Sequence, residues 1–355
     1  MLRKFKHFID CKLIIPKIRC KYSNIASFDV HRVLVQTNKF WEESQDTMTF
    51  DVGYIDTAHN LMKSQKSRIP TVMMFHGTPE THESLINLIE PLVDNGFRVL
   101  VPNFPGIGVT FGTHPSYDDM FAHSPMEKLD FIVSFMNKIG ITRLDLMMGH
   151  SAGCLPMWLL YRKMQLGCKL AIGICPVPGH TTVRSMQPYF LLKFLNNIWD
   201  THRPLTKLFL KLYSYRKKNN FSNYSVEKII RAIQTGANVD RPHQSLNAKL
   251  IAQEKLPILY VYSDNDPLVE SKKQEEFSTL LGCNKKYKLF KKDDLEKVQK
   301  NAHYLVDSKV NELIQNNHSS LIVQSKNHLP FRNPNLANIL VNLTVNIYNR
   351  LNKVS

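Results

Sequence analysis

Ser151 stands in Gly149-His150-Ser151-Ala152-Gly153, between the apolar run Leu144-Asp145-Leu146-Met147-Met148 and an apolar helical stretch that begins Cys154-Leu155-Pro156-Met157-Trp158. A serine hydroxyl attacks carbonyl carbon poorly until a base takes its proton and a third group orients that base. The G-x-S-x-G pattern between a strand and a helix predicts a turn so sharp that the residues flanking the serine must lack bulk, hence Gly149 and Gly153. Such a turn lifts the hydroxyl above the sheet edge and points the N-terminus of the next helix at it. Only 14 of the 355 residues are glycine, so a chance pentapeptide in this context is rare. The competing reading is a tight turn with a structural role alone.

The chemistry then needs an acid and a histidine, which in a strand–elbow–helix architecture of this kind follow the serine in that order, each just past a strand. Ser263-Asp264-Asn265-Asp266-Pro267 follows the apolar run Ile258–Tyr262. Both aspartates are candidates. Asp266 is preferred because it lies further into the turn, before Pro267, where the chain must leave the strand. A polar turn without function is the alternative for this segment. The strand ending at Cys175 leads into Pro176-Val177-Pro178 and offers no carboxylate. For the base, His328 follows Leu321-Ile322-Val323-Gln324 through Ser325-Lys326-Asn327 and precedes the last helix. His303, in Asn301-Ala302-His303-Tyr304, has no clear strand before it and is the second choice. His76 and His150 lie beside the elbow and read as holders of backbone shape.

A tetrahedral intermediate also needs N–H donors for its oxyanion. Gly77 in Phe75-His76-Gly77-Thr78-Pro79 lets the chain turn at the sheet edge, so that the amide of Thr78 could pair with that of Ala152. Asn103-Phe104-Pro105-Gly106-Ile107-Gly108 reads as a second tight turn with a structural role.

The elements that must hold these residues alternate. Residues 30–36 and 49–55 read as an antiparallel opening pair. Runs at 71–75, 98–101, 144–148, 170–175, 258–262 and 321–324 read as buried parallel strands. Helices are expected at about 84–93 and 126–138, after the elbow, and in a final segment ending near Leu351. Over 178–250 there is helical patterning and no strand, as in Leu205, Leu208, Phe209 and Leu212. The expected fold class is α/β: a mostly parallel sheet with helices on both faces, made of 28–177 and 251–355, interrupted by a helical cap insertion at 178–250.

Composition bounds the rest. An apolar content of 43% and a charged content of 21% suit a folded globular chain. No apolar run is long enough to span a bilayer. The net charge of +16 is concentrated in two segments, with +6 over residues 1–23 and +9 over residues 179–250. Residues 1–27 form a basic leader that resembles a mitochondrial transit peptide, the alternative being a solvated leader on a cytoplasmic protein. In 179–250, Tyr189, Phe190, Phe194 and Trp199 interleave with Lys193, which suits peripheral contact with an anionic membrane or a cap with a solvated basic face. No nucleic-acid partner is expected. The six cysteines show no C-x-x-C spacing and suggest neither zinc nor a disulfide framework.

With these pieces placed, residues 28–350 resemble the α/β-hydrolase fold superfamily. The carriers are His76-Gly77-Thr78-Pro79, Asn103-Phe104-Pro105-Gly106, Gly149-His150-Ser151-Ala152-Gly153-Cys154, Asp264-Asn265-Asp266-Pro267 and Lys326-Asn327-His328. They are most similar to a group of uncharacterised α/β-hydrolase-like proteins abundant in nematodes, in which the terminal histidine follows the last strand after a long excursion. The resemblance implies Ser151 as nucleophile, His328 as base, Asp266 as acid, the Thr78 and Ala152 amides as oxyanion donors, and 284–318 as an insertion. The chain departs from the group in having Leu329-Pro330 after the histidine, where an aromatic residue is common. The function expected is a serine hydrolase of esterase, lipase or thioesterase type acting on a small ester or acyl substrate. Neither metal nor organic cofactor is implied. The alternative is a non-catalytic ligand-binding protein on the same scaffold.

Overall fold

The structure, a computed structural model, describes residues 28–38, 47–59, 69–114, 116–164, 167–216, 224–254, 256–289, 318–323 and 327–354. The expected basic leader and His303 lie outside the described residues.

Short runs of β-branched and apolar residues, bounded by turns, give the strands β1 (Val30–Asn38), β2 (Thr47–Asp56), β3 (Thr71–Phe75), β4 (Arg98–Pro102), β5 (Phe111–Gly112), β6 (Leu146–His150), β7 (Leu170–Ile174), β8 (Ile258–Ser263), β9 (Lys285–Leu289) and β10 (His318–Val323). They form one sheet in the order β1-β2-β4-β3-β6-β7-β8-β10-β9, with β5 paired to β2. The pairs β1–β2 and β2–β4 are antiparallel. From β4 to β9 every neighbour is parallel. Order and direction make this a mostly parallel α/β sheet.

Helices cover both faces because side chains alternate along each parallel strand and both sets are apolar. Met73 and Phe75 point to one core, shared with Phe131, Ile132 and Phe135 of α3 (Pro125–Lys138) and with Met157 and Trp158 of α4 (Cys154–Met164). Val72 and Met74 point to the other, shared with Leu88, Ile89 and Leu92 of α1 (Ile86–Asp94) and with Leu340, Val341 and Tyr348 of the C-terminal helix, Pro334–Val354. A short α2 (Tyr117–Met120) precedes α3. The start of α3 carries a reciprocal cap: Ser124 accepts from the amide of Glu127, and the Glu127 carboxylate accepts from the amide of Ser124.

Between β7 and β8 the chain forms α5 (Tyr189–Thr201), α6 (Arg203–Arg216), α7 (Val226–Ala237) and α8 (Arg241–Gln253). The first three share a small apolar core of Leu195, Trp199, Leu210, Ile229, Ile230 and Ile233. α8 does not join them. Its Ala248 and Ile251 are buried in the main core, so the helix belongs to the sheet and the insertion closes before it. A further helix, α9 (Ser271–Leu280), follows β8, and the C-terminal helix is α10. Of the segment 284–318, expected as an insertion, the described residues include β9 and His318 at the start of β10. β9 is hard to foresee because Lys285-Lys286-Tyr287-Lys288-Leu289 holds three lysines and no β-branched residue.

One polar contact inside this apolar frame is testable. Arg98 at the start of β4 donates from Nε and Nη2 to the two carboxylate oxygens of Asp56, at 2.9 and 2.7 Å, with both side chains buried. Removing one partner of a buried pair strands the other charge. In Arg98→Ala, Asp56 keeps, among the described residues, the Ala58 amide at 3.1 Å and the His59 ring at 3.7 Å. The expected loss is about 3 kcal/mol in urea unfolding, with Asp56→Asn/Arg98→Ala recovering part of it.

Candidate active site

Ser151 follows β6 directly, in a tight helical turn (Ser151–Gly153) that runs into α4. Its φ of 51° lies in the left-handed region that a side chain seldom occupies, so the residue is held there by its neighbours. The crowding is visible at Gly153, where an added Cβ would lie 2.4 Å from the carbonyl oxygen of His76 and 2.6 Å from that of Phe75. At Gly149 it would meet Cys154 Sγ at 3.0 Å. At Gly77 it would lie 3.0 Å from the Ser151 Cβ, which brings the loop bearing Thr78 alongside the serine.

Ser151, His328 and Asp266 form one hydrogen-bonded chain. The Ser151 hydroxyl donates to His328 Nε2 at 2.7 Å, and His328 Nδ1 donates to Asp266 Oδ2 at 2.6 Å. All three residues are buried. The other Asp266 oxygen, Oδ1, accepts the amides of Leu268 at 2.8 Å and Val269 at 3.1 Å, which fixes the carboxylate before the ring meets it. Asp264 is elsewhere: its backbone amide donates to the carbonyl of Val323 at 3.0 Å, tying β8 to β10, and its carbonyl accepts from the Ser271 hydroxyl.

The two histidines next to the elbow are structural. His76 Nδ1 donates to the carbonyl of Gly77 at 2.8 Å, and its Nε2 accepts the amide of Phe104 at 3.1 Å. It therefore bolts the Gly77-Thr78 loop to the Asn103–Gly108 turn. Burial pulls its pKa down to about 3, so the ring stays neutral and keeps that acceptor. His150 Nε2 donates to the carbonyl of His328 at 3.1 Å, and its ring meets Phe331 edge-on at 5.0 Å. Phe331 supplies, three positions after His328, the aromatic side chain that Leu329-Pro330 does not. Burial, then the neighbouring His328, holds the His150 pKa well below the ordinary value.

Ser151, His328, Ala152 and Thr78 all border one cavity of about 570 Å³. Apolar side chains of the insertion, among them Leu191, Leu192, Leu195, Leu210, Ile229 and Ile233, form much of its wall. Polar groups gather at one side. Tyr224 donates to Glu80 at 3.3 Å, and the exposed Arg332 guanidinium lies 3.8 Å from the same carboxylate. Among the described residues no group of His, Cys, Asp or Glu is arranged to hold a metal ion.

Lys128 is the residue that sequence reasoning misses. Met126-Glu127-Lys128 looks like the solvated start of a helix. Yet Lys128 is only 1% exposed, its ammonium donates to Thr235 Oγ1 at 3.0 Å and Thr78 Oγ1 at 3.4 Å, and it lies 5.0 Å from the Phe104 ring centre. Both threonines border the cavity. Burial drops the lysine pKa to about 7. The only sequence signal is indirect: Glu127 is committed to the helix cap, and the apolar spacing of α3 turns its neighbour inward.

A mostly parallel sheet with an antiparallel opening, a strained serine turn after a central strand, and an aspartate and a histidine past later strands at the same edge make the layout of an α/β-hydrolase fold. Residues 29–349 match the family described as "Alpha/beta hydrolase of unknown function (DUF1057)", and the chain belongs to it. No curated protein matches. Among solved structures the chain is similar to a carboxylesterase of Nitrososphaera gargenis (13% identity, 86% of this chain and 97% of that one, TM-score 0.56). It is also similar to a thermophilic esterase from Thermogutta terrifontis (14%, 88% and 97%, 0.52). A third is the thioesterase domain from the curacin biosynthetic pathway (12%, 89% and 99%, 0.52). At these identities the likeness is one of fold.

Lys128 gives a signed pH test. Its folded pKa of about 7 lies below the ordinary 10.5, so above pH 7 the unfolded chain binds the extra proton. Stability rises with pH through that window by about 1.4 kcal/mol per unit, and the full penalty applies below it. In Lys128→Met the penalty is absent. The variant should be the more stable at pH 7.5, and its advantage should shrink by about 2 to 3 kcal/mol by pH 9.5 in paired urea titrations. An advantage independent of pH would contradict the buried, easily deprotonated lysine.

Proposed function

We propose that the protein is a serine hydrolase that cleaves an ester, thioester or amide through an acyl-enzyme on Ser151. The observation that carries this reading is the Asp266–His328–Ser151 hydrogen-bonded chain opening onto an apolar cavity. With Nδ1–H committed to Asp266, the free lone pair of His328 is on Nε2, facing the serine proton. As Ser151 Oγ bonds to the carbonyl carbon, its proton passes to Nε2, and the Asp266 carboxylate steadies the imidazolium so formed. The carbonyl π electrons collect on oxygen, and the Thr78 and Ala152 amides donate hydrogen bonds to the oxyanion so formed. Collapse expels the alcohol, thiol or amine, which takes the proton back from Nε2. Water then repeats the sequence against the acyl-serine, releasing the acid and restoring the enzyme.

The apolar wall from α5, α6 and α7 favours an apolar acyl group, and these helices act as a cap in this reading. The esterase and thioesterase names carried by the similar structures support the reaction class.

Fluorophosphonate labelling of the purified protein tests the assignment. Wild type should label, Ser151→Ala should not, and His328→Ala and Asp266→Asn should label slower on the order of a thousandfold or more. Labelling that survives Ser151→Ala would reject the nucleophile. Loss in His303→Ala with retention in His328→Ala would exchange the base. A wild-type protein inert to the probe and to p-nitrophenyl esters would leave the scaffold as a binding protein.

A further inference from the structure

We infer that α6, together with the outer side of α5, seats the protein on an anionic lipid surface, and that the apolar chain of a membrane-resident acyl substrate passes Phe209 to reach the cavity. The delivery half of this inference rests on the hydrolase reading; the docking half does not.

On α6, Leu205, Leu208, Phe209 and Leu212 recur at helical spacing on one stripe and are 57, 55, 45 and 54% exposed. On α5, Phe190 and Phe194, one turn apart, are 75 and 57% exposed. Six large apolar side chains presented to water on two consecutive helices is more than scattered surface leucines, and such stretches mark an interaction site. The inward sides of the same helices are satisfied: Leu195, Trp199 and Leu210 are buried in the core of the insertion. Phe190, Phe194, Leu205, Leu208 and Leu212 lie outside that core.

Charge selects the occupant. Residues 179–250 carry +9. Exposed Lys193, Lys207 and Lys211 lie on these two helices; the Lys207 ammonium stands 4.0 Å from the Glu227 carboxylate and 5.6 Å from the centre of the Trp199 ring. An apolar stripe flanked by lysines is the pattern of a helix lying in the headgroup layer of anionic lipid, apolar side inward and ammonium groups at phosphate level. No described helix is long and apolar enough to cross a membrane, so the contact is peripheral.

Phe209 links the surface to the site. It belongs to the exposed stripe and also borders the cavity that holds Ser151. An acyl chain moving from lipid along this side chain would exchange one apolar surrounding for another, with little apolar surface passing through water.

Co-sedimentation with vesicles tests the docking without any turnover. The full chain should bind vesicles of phosphatidylcholine containing phosphatidylserine, bind pure phosphatidylcholine more weakly, and lose the difference at high salt. Leu205→Ser/Leu208→Ser/Leu212→Ser should weaken binding to both vesicles by about tenfold or more. Lys193→Gln/Lys211→Gln should weaken it on the anionic vesicles alone, by about tenfold. Both variants should keep wild-type fluorophosphonate labelling, which shows them folded and reports on Ser151 separately. Vesicle binding that is absent, or equal in wild type and the leucine variant, would overturn the docking. So would a vesicle-free dimer in sedimentation velocity that the leucine variant dissociates, since the stripe would then bury a second copy of the chain. Docking with an inert serine would leave the surface standing and remove the hydrolase reading.

Discussion

The 2.7 Å hydrogen bond between Ser151 and His328 joins residues 177 positions apart, and the architecture can be read as the means of making it. A bond of that length tolerates little error, yet its partners come from different segments of chain. The parallel sheet removes the difficulty. β6, β8 and β10 run in one direction, so Ser151, Asp266 and His328, each just past the end of one of them, arrive at the same edge. The spacing of neighbouring strands then sets the separation, and each turn has only local adjustment left to make. Asp266 makes its own by accepting two amides of its turn. Ser151 makes its own through a left-handed backbone against which Gly153 packs with no room for a methyl.

That edge is stiffened by polar side chains kept neutral or deeply buried. His76 joins two loops through one donor and one acceptor, a role that requires an uncharged ring, and burial ensures it. His150 anchors the His328 backbone while Phe331 packs on it. Lys128 stands below Thr78 with two hydroxyls and an aromatic face for company. A lysine there costs stability, and its place beneath the loop that would meet a developing oxyanion gives a physical reason for the chain to retain it.

Local chemistry explains which of these features the sequence discloses. The strands at 71–75, 98–102 and 146–150 are legible because burial on both faces forces continuous apolar runs. The elbow is legible because its crowding admits glycine almost alone. Asp266 is chosen over Asp264 because it lies further into the turn, before Pro267, and His328 over His303 because it follows a strand; the structure brings Ser151, Asp266 and His328 together. β9 is illegible because an edge strand pairs on one side only, and three of its five residues are lysines that suit such an edge. α8 looks like its helical neighbours, and only tertiary contact assigns Ala248 and Ile251 to the main core. Lys128 is hard to read for the opposite reason to the elbow: its type argues for solvent, the apolar spacing of α3 hints at burial only indirectly, and the outcome is decided by how α3 lies on the sheet.

The insertion extends the same reasoning outward. A helix that only roofed a cavity would need one apolar side, facing in. α5 and α6 have two, with Leu191, Leu192, Leu195 and Leu210 toward the cavity and Phe190, Phe194, Leu205 and Leu212 toward solvent. The inner side is explained by packing, since those residues fill the wall and the small core behind it. The outer side gains less from folding, since Phe190, Phe194, Leu205 and Leu212 each leave more than half of their surface in water, where apolar area is unfavourable. In the docking proposed above this surface meets an apolar partner, and the lysines on α5 and α6 favour one that carries negative charge. Ser151 would then work beneath a roof that is apolar on both sides, so that a substrate insoluble in water never has to enter it.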